Sequence, residues 1–142
     1  MTGAAARAAA AKAARVLAGD ERVTLVYLFG SAADPTAAEV EDIDLGILAA
    51  PPLDADELLR LGAVVVEAVH APVDLVALDR APIVLAHEVA EHGRCLFARR
   101  PEIETDFVVR ARARYWDFKP FLETQWRYAG ERLRERSRGA SN

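Results

Sequence analysis

The pair Gly30-Ser31 and the aspartates Asp42 and Asp44 are the residues whose types and spacing could do chemistry. A Gly-Ser pair at a turn offers free backbone N–H groups and a hydroxyl, which can hold a phosphate. Two carboxylates separated by one residue lie on the same face of a strand, because strand side chains alternate between faces. Carboxylate oxygens next to a phosphate suit a divalent cation, so the pattern predicts phosphoryl or nucleotidyl transfer.

Two strands are expected to position these residues. Residues 23–29 are apolar and β-branched, which predicts a buried strand that ends at Gly30-Ser31. Residues 42–48 alternate apolar side chains with the aspartates, which predicts a second strand. An ordinary turn and a solvated strand edge are the alternatives. We favour a metal site because like charges placed side by side repel one another without a cation.

A third acid, Asp74, lies within the apolar run 73–78, which predicts another strand. One hypothesis is that Asp74 is the third carboxylate of the site formed by Asp42 and Asp44, since neighbouring positions of a small sheet can converge. The other makes it an acid at the start of a strand, after Pro72, with no catalytic role.

The remaining segments are mostly helical by pattern. An alanine-rich helix is expected over 3–18, and Asp54 with Glu57 three residues later is typical of a capping box. Further along we expect the following: a helix that has Pro82 in its first turn and Gly93 just past its end, a strand over 94–98, a helical segment over 101–136 broken or kinked at Pro120, and a frayed end over 137–142. The order of elements predicts a small α/β sheet.

Length and composition favour one domain over residues 1–142, with a catalytic sheet core over 23–98 and a helical C-terminal segment over 101–136. The single cysteine, Cys95, rules out an internal disulfide, which suits a reducing compartment. No run of 18 uncharged apolar residues is present, so we expect no transmembrane helix. Basic residues interrupt the N-terminal apolar stretch, which argues against a signal peptide. We therefore expect a cytoplasmic protein.

Charge is unevenly distributed around the net value of −4, because basic residues are in excess after residue 98. A basic tail could contact nucleic acid, but the signs alternate as on a solvated helix and no recognition motif is present. We expect no direct nucleic-acid binding.

The histidines, the cysteine and the aromatic residues are not expected to take part in the chemistry. The histidines at 70, 87 and 92 lack zinc-ligand spacing and are expected to be structural or surface residues, and Cys95 is expected to be a core thiol. Six of the ten aromatic residues lie between Tyr115 and Tyr128. Base stacking could use these rings, but we favour packing onto the sheet or onto a partner chain.

The Gly-Ser and double-aspartate signature resembles the minimal nucleotidyltransferases of the DNA polymerase β-like superfamily. The strand that carries Asp74, the stretch 87–97 and the segment Tyr115–Pro120 extend the resemblance over nearly the whole chain. The last segment is similar to MntA-type antitoxins, which are paired with HEPN ribonuclease toxins. The resemblance implies the nucleotidyltransferase fold, a small mixed β-sheet flanked by helices with a helical C-terminal segment.

The resemblance also implies roles for the candidate residues. Gly30 and Ser31 would hold the phosphates of ATP, and Asp42, Asp44 and Asp74 would bind Mg²⁺. Asp74 would also take the proton of the attacking hydroxyl. The implied reaction is transfer of AMP from ATP to a tyrosine of a cognate HEPN toxin, which neutralises that toxin.

One departure from the family pattern concerns the loop after Ser31. Asp34-Pro35 stands where many relatives have Arg-Gly, and an aspartate repels phosphate where an arginine attracts it. Two alternatives to protein adenylylation are an antitoxin that acts by binding alone and a small-molecule nucleotidyltransferase.

Overall fold

The computed structural model describes residues 1–140. Its helices and strands follow one another in this order: α1 (Gly3–Ala18), β1 (Val23–Phe29), β2 (Ile43–Ala49), α2 (Ala55–Val69), β3 (Val73–Ala77), α3 (Ile83–His92), β4 (Arg94–Ala98) and α4 (Pro101–Ala140). Short 3-10 turns over Gly30–Ala33 and Leu78–Arg80 follow β1 and β3.

The four strands form one mixed sheet in the order β3-β2-β1-β4. Strand β1 is antiparallel to both β2 and β4, whereas β2 and β3 are parallel. The parallel register places Asp44 directly beside Asp74. The predicted small mixed sheet flanked by helices is therefore confirmed, and β3 is an edge strand.

Helices cover both faces of the sheet. On one face, α1 and α2 pack against apolar side chains that include Ile43, Leu45 and Ile47 of β2. On the other face, α3 and the start of α4 pack against a second cluster that includes Leu25 and Tyr27 of β1. Because side chains alternate along β2, Asp44 lies on the α3 side of the sheet.

Helix α2 begins as its sequence predicts. The Asp54 carboxylate accepts a hydrogen bond from the Glu57 backbone N–H at 2.8 Å, and Asp54 N–H donates to the Glu57 carboxylate at 3.2 Å. This reciprocal pair is the predicted capping box, and it fixes the helix that packs beside β3.

Helix α4 runs through Pro120 without a break, so of the two predicted effects of this proline a break is wrong. The helix continues to Ala140, so the prediction of a frayed end is wrong for residues 137–140. Pro120 is exposed, so water can reach the carbonyl that loses its helical partner. Ser141 and Asn142 lie outside the described residues.

Most of α4 extends beyond the sheet. Phe107 and Ala111 are its buried residues, and none of residues 112–139 is buried. The side chains of Trp116, Phe121, Trp126, Tyr128 and Leu133 are each more than half exposed. Packing of the whole aromatic cluster onto the sheet, one of the two expectations, is therefore wrong. Within residues 1–140, no helix is long and apolar enough to cross a membrane.

Candidate active site

The turn after β1 lies directly against the side chain of Asp44. Gly30 has a φ of 72°, which L-residues rarely adopt, and it begins the 3-10 turn Gly30–Ala33. A Cβ atom at position 30 would lie 2.5 Å from Oδ2 of Asp44. Glycine is therefore required twice at this position, by the backbone angle and by the close approach of the Asp44 carboxylate.

Ser31 follows within the same turn and is exposed. Ala32 and Ala33 are buried behind it and anchor the turn in the core. The Ser31 hydroxyl has no hydrogen-bond partner among residues 1–140, so it is available to a ligand at the mouth of the site. The predicted position of Gly30-Ser31 on a turn after a strand is what the structure has.

The three predicted carboxylates lie at one end of the sheet, where Asp42 and Asp74 each act electrostatically on Asp44. Asp44 is half-buried on β2, and Asp74 is exposed on β3 directly beside it. Asp42 is exposed and lies just before β2, because that strand begins at Ile43 rather than at the predicted residue 42. None of the three forms an ion pair with a basic side chain in the described part of the chain.

The electrostatics of Asp44 reflect this crowding. Burial raises the pKa of Asp44, and the charges of Asp74 and Asp42 raise it further. The site therefore concentrates negative charge that no cation of the described chain offsets.

This arrangement fits a magnesium ion in its donor chemistry. Within residues 1–140, no three carboxylate, imidazole or thiol side chains are close enough to form a ready-made metal cluster. Magnesium commonly takes one or two carboxylates and completes its shell with water and substrate phosphates. Asp44 and Asp74 side by side, next to a turn suited to phosphate, supply such a donor set.

A cleft of about 490 Å³ opens over the Gly30-Ser31 turn. Its lining consists of Phe29, Gly30, Ser31, Ala33, Asp34, Pro35, Glu88 and His92. Helix α3 thus supplies this cleft with two polar residues to which the sequence analysis assigned no functional role, whereas none of the three carboxylates belongs to the lining. The Glu88–His92 spacing of four, which puts both on one helix face, was the signal available in the sequence.

Asp34 belongs to the same cleft. Its carboxylate accepts hydrogen bonds from the Thr36 backbone N–H at 2.8 Å and from the Thr36 hydroxyl at 2.7 Å. These bonds lower the pKa of Asp34, so the residue is ionised at neutral pH. The negative charge expected at this position is thus present in the same cleft as Gly30 and Ser31.

Helix α3 has a second polar face, which packs on α4. The His87 ring stacks on Tyr115 at 3.7 Å between centroids, and Glu91 accepts a 2.6 Å hydrogen bond from Arg112. This face is structural, as predicted for His87.

Cys95 of β4 is partly buried, and burial raises its pKa to about 11. The side chain is therefore a thiol rather than a reactive thiolate.

Comparison with known proteins gives consistent results. Residues 11–102 match the family model described as polymerase beta, nucleotidyltransferase. Over 94 residues the chain is 34% identical to the protein adenylyltransferase MntA of Shewanella oneidensis. This match covers 66% of this chain and 67% of that protein.

Solved structures show the same likeness. A toxin–antitoxin structure with AMP-PNP includes a chain with 28% identity and a TM-score of 0.75, and the match covers 83% of this chain and 95% of that one. A complex of tri-AMPylated Shewanella oneidensis HEPN toxin with MNT antitoxin has 26% identity and a TM-score of 0.73, covering 87% and 98% of the two chains.

Proposed function

The chain belongs to the polymerase beta nucleotidyltransferase family, and we propose that it is an antitoxin that transfers AMP from ATP to a tyrosine of a HEPN toxin. The name of the similar MntA protein, a protein adenylyltransferase, supports this activity. The AMPylated HEPN toxin in the similar complex supports the class of acceptor. Residues 1–142 would act as one nucleotidyltransferase domain, and ATP as substrate implies a cytoplasmic location.

The observation that carries the proposal is the contact between the Gly30 turn and Asp44, with Asp74 in register beside it. A phosphate held by the backbone N–H groups and the hydroxyl of Gly30-Ser31 would lie next to these carboxylates. Asp42, Asp44 and Asp74 would hold Mg²⁺. When bound, Mg²⁺ supplies the positive charge that offsets the triphosphate and the charge developing during transfer.

The reaction follows from this placement. The acceptor hydroxyl oxygen forms a bond to the α-phosphorus of ATP, while the bond from that phosphorus to the pyrophosphate oxygen breaks. The hydroxyl proton passes to the Asp74 carboxylate, which is exposed and therefore reachable from solvent. The products are the AMP ester, pyrophosphate and a proton. Gly30 and Ser31 keep the β- and γ-phosphates in line with the attack.

The acceptor has an open approach to Asp74. A groove of about 570 Å³ runs between α2 and the edge strand β3, and Asp74 belongs to its lining together with apolar residues such as Leu58 and Leu75. Side-chain alternation puts the Asp74 carboxylate on the α3 side of β3, so a partner docked in this groove would have to reach around the open edge strand to bring its hydroxyl to that carboxylate. The exposed aromatic residues of α4 offer that partner a second contact surface.

One observation favours a second candidate, an antitoxin that acts by binding alone. Asp34 is held ionised in the cleft, where its charge opposes a triphosphate. In that case the α2–β3 groove and α4 would bind the toxin, and no nucleotide would be transferred.

A transfer assay separates the candidates. The chain is incubated with α-labelled ATP, Mg²⁺ and a purified HEPN partner, and the toxin's ribonuclease activity is measured on the same samples. Label on a toxin tyrosine with loss of ribonuclease activity is the expected result. Loss of activity without label would favour binding alone, and label on small hydroxyl compounds without the partner would favour a small-molecule nucleotidyltransferase.

A further inference from the structure

We infer that His92 is the cationic side chain that contacts the β- and γ-phosphates of the bound nucleotide, an inference that rests on the proposed function. The cleft over Gly30-Ser31 has only one lining residue that can carry a positive charge, and it is His92. Two others, Asp34 and Glu88, carry negative charge. A triphosphate in this cleft needs a positive contact from the protein, and His92 alone can supply it there.

The orientation of α3 supports the same role. Glu88 and His92 are four residues apart and line the cleft, whereas His87 and Glu91 occupy the face that packs on α4. His87 and Glu91 have ring or ion-pair partners. In the described part of the chain, Glu88 and His92 form no hydrogen bond or ion pair and are exposed, so both are free to contact a ligand in the cleft.

The position of His92 in the helix adds to this. It is the last residue of α3, and Gly93 caps the helix behind it. The carboxyl end of a helix interacts favourably with positive charge. Asp34 and Glu88 line the same cleft as His92, and Glu91 of its own helix, which also binds Arg112, interacts electrostatically with it.

A histidine contact makes nucleotide affinity depend on pH. Only the protonated imidazole carries the positive charge that attracts phosphate. Affinity for a triphosphate should therefore rise as pH falls. AMP lacks the β- and γ-phosphates, so its affinity should not follow the same dependence.

The test is calorimetric titration of the full chain with AMP-PNP and with AMP, each with Mg²⁺, from pH 5.5 to 8.0. The variants are His92→Gln, His92→Lys and, as a matched control on the other face of α3, His87→Gln. At pH 6 we expect His92→Gln to bind AMP-PNP about fivefold more weakly than wild type, with the difference vanishing near pH 8. His92→Lys should keep the stronger affinity at every pH, and His87→Gln should behave as wild type.

Protonation of the nucleotide itself contributes equally to all four proteins, so the comparison between variants removes it. Equal AMP-PNP affinities and equal pH profiles for wild type and His92→Gln would overturn the inference and leave the proposed function intact. A loss of AMP affinity equal to the loss of AMP-PNP affinity would also overturn it, since the contact would then not be with the outer phosphates. Failure of wild type to bind AMP-PNP at any pH would instead remove the proposed function, and this inference with it.

Discussion

Oδ2 of Asp44 occupies the space in which any side chain at position 30 would begin, 2.5 Å from the ideal Cβ of Gly30. The turn Gly30–Ala33 and the Asp44 carboxylate are therefore packed against each other, although 14 positions separate Gly30 from Asp44 in the chain. A change at either residue should be felt at the other.

Replacing Gly30 with alanine should impair transfer even though alanine is small. The new Cβ forces Asp44 to move and strains a backbone angle of 72°, so we expect a loss of about 1–2 kcal/mol of stability. Transfer rate and thermal unfolding measure the two effects. Gly62→Ala is the matched control for stability, because its Cβ would meet Leu75 at an ordinary 3.8 Å within a helix, and it should be neutral or stabilising. A transfer rate in Gly30→Ala equal to that of wild type would contradict a role for the turn.

The double variant Asp42→Asn with Asp44→Asn should fold and lose nucleotide transfer. Both residues would hold Mg²⁺, and an amide is a poor substitute for a carboxylate in that role. Transfer of label from ATP and circular dichroism on the same preparation provide the measurement. Glu41→Gln removes one negative charge beside the site without touching the proposed ligands, and it should keep transfer within a few-fold. Full transfer by a folded double variant would falsify the metal role.

The raised pKa of Asp44 predicts how stability depends on pH. Its pKa in the folded chain lies above the ordinary value of 3.8, so the folded state holds the proton more tightly than the unfolded state. Stability should therefore fall as pH rises through the raised pKa, and the full penalty should be present at neutral pH. Asp44→Asn removes this penalty.

Unfolding measured from pH 3.5 to 7 without Mg²⁺ tests this prediction. Asp44→Asn should be more stable than wild type at pH 7, by up to about 1 kcal/mol, and the gain should shrink toward acid. Adding Mg²⁺ at pH 7 should stabilise wild type more than the variant. A variant that is less stable than wild type at pH 7 without Mg²⁺ would contradict crowding of the carboxylates.

Asp74→Asn should separate binding from chemistry. ATP affinity should be largely kept, because Gly30-Ser31, Asp42 and Asp44 remain. The transfer rate should fall by about a hundredfold or more, as for loss of a general base. Calorimetry and a rate assay on one preparation give both values, with Asp79→Asn, a change just beyond β3, as the control. An intact rate with intact affinity would exclude Asp74 from the site.

Trp126→Ala should weaken the complex with the partner without weakening the fold. The ring is 61% exposed on the part of α4 that extends beyond the sheet, so monomer stability should stay within about 0.5 kcal/mol of wild type. Affinity for the HEPN partner should fall about tenfold or more if the ring is an interface anchor. Val109→Ala is the control, since it also removes exposed apolar surface from α4 but near its packed start. Unchanged affinity in Trp126→Ala would place the docking surface elsewhere.

Features encoded in contiguous residues could be predicted from the sequence. The bounds of β1 match the apolar run 23–29, and β4 matches 94–98. The capping box at Asp54 and Glu57 forms as predicted, because both partners lie within one helical turn. The convergence of Asp44 with Asp74 needed the fold as well, which the family resemblance supplied.

Features that depend on which surface a helix presents could not be predicted. His92 and His87 belong to the same helix, yet one lines the cleft and the other packs on Tyr115. Only the docking of α3 between the sheet and α4 decides this. Pro120 likewise looked like a break, but the surrounding helix is exposed, and water can satisfy the backbone there. The roles assigned to the five site residues stay predictions until the variants are measured.

The edge position of β3 leaves the candidate site open to water, which affects how much ATP is lost to hydrolysis. Gly30, Ser31, Asp42 and Asp74 are all exposed, and no segment of residues 1–140 closes over them. Water can therefore compete with the acceptor for an activated nucleotide as long as the chain is alone. Only a docked acceptor protein would cover the site and exclude this water. Hydrolysis of ATP without transfer should therefore be suppressed only while the partner is docked.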